Sequence, residues 1–266
     1  MRQRILVFTL LFLASIAFCQ NFTESGEILT LDELSYASDI LNEIIFKDGE
    51  ITLIRYEGYF EEEENILLND KYSIEKKDHI TFLCLEKENK KLLCLANNDI
   101  LLLYDDSKKD PFFFGYSSMR GLELINQPRN ISASSELVEN GYVYSAKNLG
   151  NFNLTEPWVE GVPGNGEGEY ITLPGNCTYI YLFNGYISYS KPYLYERNSR
   201  IKKIKITTNI DNDSKVFIFN VFDTPNPQKF DLGERVTNDI KLEILEVYPG
   251  TKYQDTCMNA LLFQVY

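Results

Sequence analysis

Apolar and polar residues alternate with a period of two along much of this chain. IKLEILEVY (240–248) and RIKKIKI (200–206) alternate as strands with one buried and one wet face do. EYITL (169–173), YIYLFNGYI (179–187), KVFIFNVF (215–222), QKFDL (228–232) and NALLFQVY (259–266) add shorter or more continuously apolar runs. About seven short strands in the second half, with no helical spacing among them, predict a β-sandwich. In the first half, ITLIRYEGYF, KYSI, HITFLCLE, KLLCLA and DILLLYDD are strand-like and separated by turn signals. One stretch differs. TLDELSYASDILNEII (30–45) places Leu31, Leu34, Ala37, Leu41, Ile44 and Ile45 at helical spacing, and Thr30 with Glu33 forms a capping-box pattern. It predicts one amphipathic helix. EEEEN (61–65) reads as a solvated hairpin tip, because consecutive carboxylates on a strand point to opposite faces.

The expected fold is therefore mainly β: a small β-rich domain with one helix over 20–126, then a β-sandwich over 127–266. SKKDP (107–111) and INQPRN (125–130) bracket a loop-rich connection holding PFFFGY, with the boundary near Asn126. Residues 1–19 read as a signal peptide. MRQR supplies the charge, ILVFTLLFLASIAF an apolar run too short for a comfortable span, and Ala17 and Cys19 the small residues at a cleavage site. The chain is expected to be exported, to the periplasm, the cell surface or the medium. A lipoprotein anchored at Cys19 is the lesser alternative, because Phe18 departs from the small residue such sites prefer. No later stretch is long and apolar enough to span a bilayer.

Charge removes one class of partner. The net charge is −13, so a nucleic-acid ligand, which needs clustered Lys and Arg, is not expected. Four cysteines follow the leader, and an even count in an exported chain suggests the disulfides Cys84–Cys94 and Cys177–Cys257, with four free thiols as the alternative. A turn centred on Asn89 would set Cys84 opposite Cys94.

Candidate chemistry is sparse. His79 is the only histidine, which rules out a multi-histidine zinc site. GNGEGE (164–169) is not a phosphate loop: the spacing fails, no Lys and Ser/Thr pair follows, and its glutamates would repel phosphate. Glu160, Glu167 and Glu169 could supply a glycosidase pair, which needs two carboxylates about 5–10 Å apart. Asn165, Glu167 and Glu169 could instead hold a structural Ca²⁺, without EF-hand spacing; no other cofactor is expected. Trp158, the single tryptophan, either fills the core or offers a stacking platform for a sugar ring. Tyr186, Tyr193, Asn198 and Arg200 would add rings and polar groups to such a platform, the combination carbohydrate recognition uses.

Several ordered motifs carry a family resemblance over about 131–266. ISASSELVENGYVYSAKNLGNFNLTEPWVEGVPGNGEGEYITL (131–173) resembles the opening of the discoidin-like, F5/8 type C-like domain found in bacterial NAD glycohydrolase toxins. LFNGYIS (182–188), YERNSRIKKIKI (195–206) and NDIKLEILEVYPGTKYQDTCMNALLF (238–263) are similar to its later segments. Asn151 and Pro157 alter the approach to the tryptophan, and Ala260 and Leu261 replace an expected Ser-Glu pair. The resemblance implies a galactose-binding-like jelly roll that binds a glycan or docks a cell-envelope protein rather than catalysing a reaction. The first domain carries no NAD-cleaving motifs.

Overall fold

The computed structural model describes residues 21–37, 42–57, 63–108, 110–116, 125–151, 154, 156–210 and 213–264. The predicted leader and the lipidation alternative at Cys19 lie outside these residues. Among the described residues no helix is long and apolar enough to cross a membrane.

The first half is a closed eight-stranded barrel. Its strands are β1 (Ser35–Ala37), β2 (Asn42–Lys47), β3 (Glu50–Glu57), β4 (Glu63–Lys77), β5 (Ile80–Leu85), β6 (Lys90–Ala96), β7 (Ile100–Asp105) and β8 (Asp110–Tyr116). Each pairs antiparallel with the next, and β8 closes on β1 through Tyr36↔Tyr116 and Ala37↔Gly115. Closure removes both sheet edges. Ile44, Phe46, Ile51, Leu83, Leu92 and Leu103 fill the interior, and Ile28 and Leu31 from the N-terminal segment join the same cluster.

Three expectations fail here. The helix over 30–45 is absent: its described residues form a turn followed by β1 and the start of β2. Thr30 Oγ1 accepts the Asp32 N–H at 3.1 Å, a local turn rather than a helix cap, and Glu33 adopts φ 64°. Ile44, Ile45 and Phe46 instead pair with Leu53, Thr52 and Ile51 across the Asp48–Gly49 turn. Long-range pairing of β-branched residues overrides the helical spacing. PFFFGY is strand β8, not a loop. Cys84 and Cys94 are not opposite each other. The turn at Glu86–Asn89 sets Cys84 against Lys91 and Cys94 against Thr81, and both thiols are free.

The second half is a β-sandwich. Its elements are β9 (Ile125–Asn126), β10 (Ser132–Ala133), β11 (Val138–Glu139), β12 (Tyr142–Val143), a 3-10 turn (Ala146–Gly150), β13 (Trp158–Val159), β14 (Tyr170–Leu173), β15 (Cys177–Asn184), helix α1 (Leu194–Arg197), β16 (Ser199–Ile210), β17 (Asp213–Asn220), β18 (Gln228–Val236), β19 (Ile240–Tyr248) and β20 (Thr256–Gln264). The strand order is β10-β14-β19-β16-β20-β15-β18, with β17 on β16 and both β9 and β13 on β20. Its core includes Trp158, Ile180, Leu182, Ile204, Leu242, Leu261 and Phe263. Cys177 and Cys257 are buried free thiols at opposite ends of two adjacent antiparallel strands, so they cannot be bridged.

Alternation explains why some strands look continuously apolar. On β15 and β20, Ile180, Leu182, Leu261 and Phe263 face the sandwich core. Their neighbours Tyr181, Phe183, Ala260 and Leu262 pack on the barrel's Ile80, Phe82, Leu93, Leu95, Ile100, Leu102 and Tyr104. Strands β6 and β7 are covered twice in the same way, by the barrel interior and by the sandwich. Both faces of their central residues are dry, so those stretches carry no regular polar alternate. The seam between the two halves is also stitched by polar contacts. Asn226 accepts the Ala96 N–H (3.2 Å) and donates to Gly26 O (2.8 Å). Tyr189 donates to Lys91 O at 3.1 Å, and the Tyr181 hydroxyl reaches Gln264 Oε1 at 2.6 Å and Asp99 Oδ2 at 3.1 Å.

Candidate functional site

The acidic, glycine-rich segment after Trp158 is a structural staple. Trp158 is fully buried, and its Nε1–H donates to Ser135 O at 3.0 Å. It therefore offers no ring face to a ligand, and of the two roles weighed for it the core role is the one the structure shows. Two residues on, Glu160 is also fully buried. Its Oε2 accepts the Val162 N–H at 2.8 Å and its Oε1 the Thr256 N–H at 3.2 Å, tying the loop to the start of β20. Burial outweighs these two hydrogen bonds and raises its carboxyl above the ordinary value. Gly161 lies against the Glu136 carbonyl and Gly166 against the Glu160 side chain, at distances no Cβ tolerates.

Arg200 and Asn198 are likewise committed internally. Arg200 Nε and Nη2 bind Asp223 Oδ1 and Oδ2 at 3.0 and 2.6 Å, and Nη1 donates to Asn198 O at 2.9 Å. Tyr195 adds its hydroxyl to Asp223 at 3.1 Å. Asn198 is buried and donates to Leu194 O at 2.9 Å, closing α1. Neither side chain faces a ligand, against expectation, because both are consumed in holding the loop between β15 and β16. Of the proposed calcium donors, the Asn165 carbonyl accepts from Thr256 Oγ1 at 2.7 Å and Glu169 accepts from Ser134 Oγ at 2.6 Å, while Glu167 is exposed. Among the described residues no group of three or more His, Cys, Asp or Glu side chains could hold a metal ion.

What is left accessible is aromatic. Tyr193 is exposed, with the Arg197 guanidinium 4.3 Å above its ring. Tyr186 is half-buried and belongs to a larger group. Strands β11 and β12 form a hairpin whose Asn140–Gly141 turn leaves Val138 opposite Val143 and Glu139 opposite Tyr142. Tyr142 and Tyr144 share one side of it, with ring centroids 4.8 Å apart at 77°. Glu156 and Asn148 lie beside the Tyr142 hydroxyl, and Tyr186 beside that of Tyr144. Burial first pushes all three phenols up; Glu156 adds to the rise at Tyr142 and Tyr186 and Glu139 at Tyr144, while Asn148 opposes it at Tyr142 and Tyr186 at Tyr144. The result is a partly exposed wall of three rings with a carboxylate and an amide at its edge.

A second concavity, of about 320 Å³, lies on the seam between barrel and sandwich. His79 from the β4–β5 turn meets Glu196 of α1 there at 2.9 Å, beside Lys76, Asp223 and Asn226. Both partners are over two-fifths exposed, so the pair adds little to stability.

The sequence matches the family described as the NAD glycohydrolase translocation F5/8 type C domain over residues 125–264. The chain belongs to that family. No curated protein matches it. Solved structures resemble about half of this chain at low identity. The family 32 CBM from C. perfringens NanJ, in complex with galactose, is 12% identical, with a TM-score of 0.40, over 53% of this chain and 99% of that one. CpGH89CBM32-5 from Clostridium perfringens, in complex with GalNAc-β-1,3-galactose, is 17% identical, with a TM-score of 0.39, over 50% and 94%. A putative chitobiase fragment from Bacteroides thetaiotaomicron is 11% identical, with a TM-score of 0.42, over 56% and 97%.

Within the F5/8 type C domain, the sequence pointed to Tyr186 and Tyr193 but missed Tyr142, Tyr144, Asn148 and Glu156. A signal for the first two was present. Asn140-Gly141 between VE and YV is a two-residue hairpin signature, and a hairpin end is where a tyrosine can stay exposed. Nothing local marks Asn148 or Glu156, which reach Tyr142 only through the fold.

Proposed function

We propose that this is an exported, non-catalytic protein whose F5/8 type C domain binds glycans through the tyrosine wall formed by Tyr142, Tyr144 and Tyr186. The observation that carries the reading is the exposure of Tyr142: the residue is 39% exposed, and its ring packs edge-on against that of Tyr144. Aromatic faces take the C–H face of a sugar, and a few oriented polar atoms fix its hydroxyls. Export is supported by the leader-like sequence of residues 1–19. The non-catalytic reading is supported by the engagement of the candidate acids: Glu160 is sealed in the core and Glu169 is held by Ser134.

The test is a glycan-array screen of residues 20–266 beside Tyr142→Ala, both checked for a native near-UV spectrum. Binding of a sugar class by the wild type, lost in the folded variant, is expected. Binding that survives in both Tyr142→Ala and Tyr186→Ala moves the site elsewhere. No binding by the wild type overturns the glycan reading. It would favour docking of a cell-envelope protein, for which the exposed Val138–Val143 pair on the same hairpin is the surface to mutate.

A further inference from the structure

Two carboxylates, Glu139 and Glu156, border the tyrosine wall. Glu139 is the cross-strand partner of Tyr142, so its carboxylate stands on the ring side of the hairpin. Glu156 lies close enough to the Tyr142 hydroxyl and to Tyr186 to raise both phenols, and Glu139 does the same to Tyr144. The nearest basic side chain in sequence, Lys147, lines a separate concavity with Arg129, Asn130 and Gly150. Glu136 is not available to the wall, because Ser145 Oγ and the Ala146 N–H occupy its Oε1 at 2.9 and 2.8 Å. The π-faces of three tyrosines add their own negative potential to that of the two carboxylates.

Such a surface repels a carboxylated or sulfated sugar and attracts a cation. Cations over aromatic faces gain most where neighbouring carboxylates share the charge and part of the site is dry. Tyr186 and Tyr144 supply the dry side, being half-buried, and Tyr142 with Glu139 the open side. We infer that the tyrosine wall selects sugars bearing a free, protonated amine over their N-acetylated and uronic-acid counterparts. This rests on the glycan reading above and adds to it the chemical class of the ligand.

The experiment is isothermal titration of the folded chain with three soluble oligosaccharide sets of matched length: glucosamine, N-acetylglucosamine and a uronic acid. The glucosamine set is expected to bind about tenfold more tightly than its N-acetylated counterpart, the range a partly desolvated cation–π contact gives. The uronic acid should bind least. Adding salt should weaken the first preference, since much of it is Coulombic. Glu156→Gln and Glu139→Gln should each bring the ratio between the amine and N-acetyl forms towards one. Equal or tighter binding of the N-acetyl or uronate set overturns the inference but leaves a glycan-binding wall in place. A preference for the amine that persists in both glutamine variants overturns the assignment to these carboxylates. Failure of all three sets, together with a blank array, removes the glycan reading itself.

Discussion

Replacing Gly166 by alanine should expose what the glycine-rich loop is for. A Cβ at this position would lie 2.5 Å from Glu160 Cγ and 2.7 Å from Cδ, far inside contact distance. Glu160 has no room to yield, because it is fully buried and both carboxyl oxygens hold backbone N–H groups. Gly166 also sits at φ 69°, which costs an alanine about 1 kcal/mol. Forcing a methyl into a packed site adds about 2 kcal/mol, so Gly166→Ala should destabilise by about 3 kcal/mol. In a Glu160→Ala background the obstructing atoms are gone and only the backbone term of about 1 kcal/mol remains. The coupling read from the double-mutant cycle is then about 2 kcal/mol. Gly168, at φ 92° with nothing within 4 Å, is the internal control. It should cost about 1 kcal/mol in either background. Urea unfolding with unchanged slope is the assay. Equal costs for Gly166→Ala in both backgrounds would refute the packing argument and leave φ alone as the reason for the glycine.

Glu160 also predicts a pH effect. Its folded carboxyl titrates above the unfolded one, so its contribution is complete below the ordinary carboxylate value and is lost as pH rises through the raised pKa. Glu160→Gln has no proton to lose, so the stability advantage of wild type over variant should be larger at about pH 4 than at about pH 7.5 in paired unfolding curves. Asp223→Asn strands the buried Arg200 guanidinium without its counter-charge. A loss of about 3 kcal/mol in the same assay is expected, the low end for a buried pair because Asp223 keeps some solvent access. Reductant should leave the melting temperature unchanged, since Cys84, Cys94, Cys177 and Cys257 are free, and burial pushes the Cys94 and Cys177 thiols up to about 12. Thiol counting in denaturant gives an independent check.

The parts of the fold legible in sequence are those where one face is wet. IKLEILEVY shows β19 directly, with Ile240, Leu242 and Ile244 buried between less buried neighbours. Where both faces are dry, the apolar run of β20 announces a strand but not what covers its second side. That cover is the barrel, which no residue of β20 names. The error over 30–45 has the same origin. Spacings of three and four also fit Leu31 plugging a barrel while Ile44 pairs across a hairpin. The missed cysteine register came from placing the turn at Asn89 rather than between Lys87 and Glu88, since a small shift in a turn moves every cross-strand pair. The site was half legible because ring-bearing residues are visible in sequence, while their exposure depends on neighbours far along the chain. Trp158 and Tyr142 are both plausible platforms as letters, and only packing separates them.

The double-faced strands carry a practical corollary for anyone dissecting this protein. Binding domains are commonly expressed alone, cut at the edge of the matched region. Here that cut would uncover Tyr181, Phe183, Ile187, Tyr195 and Leu262 together, a contiguous greasy panel on what should be a soluble reagent. The fragment would be expected to self-associate, and a negative binding result from it would report the exposed panel rather than the ligand preference. The barrel acts as the sandwich's built-in chaperone surface, and the two should be purified, mutated and assayed as one piece.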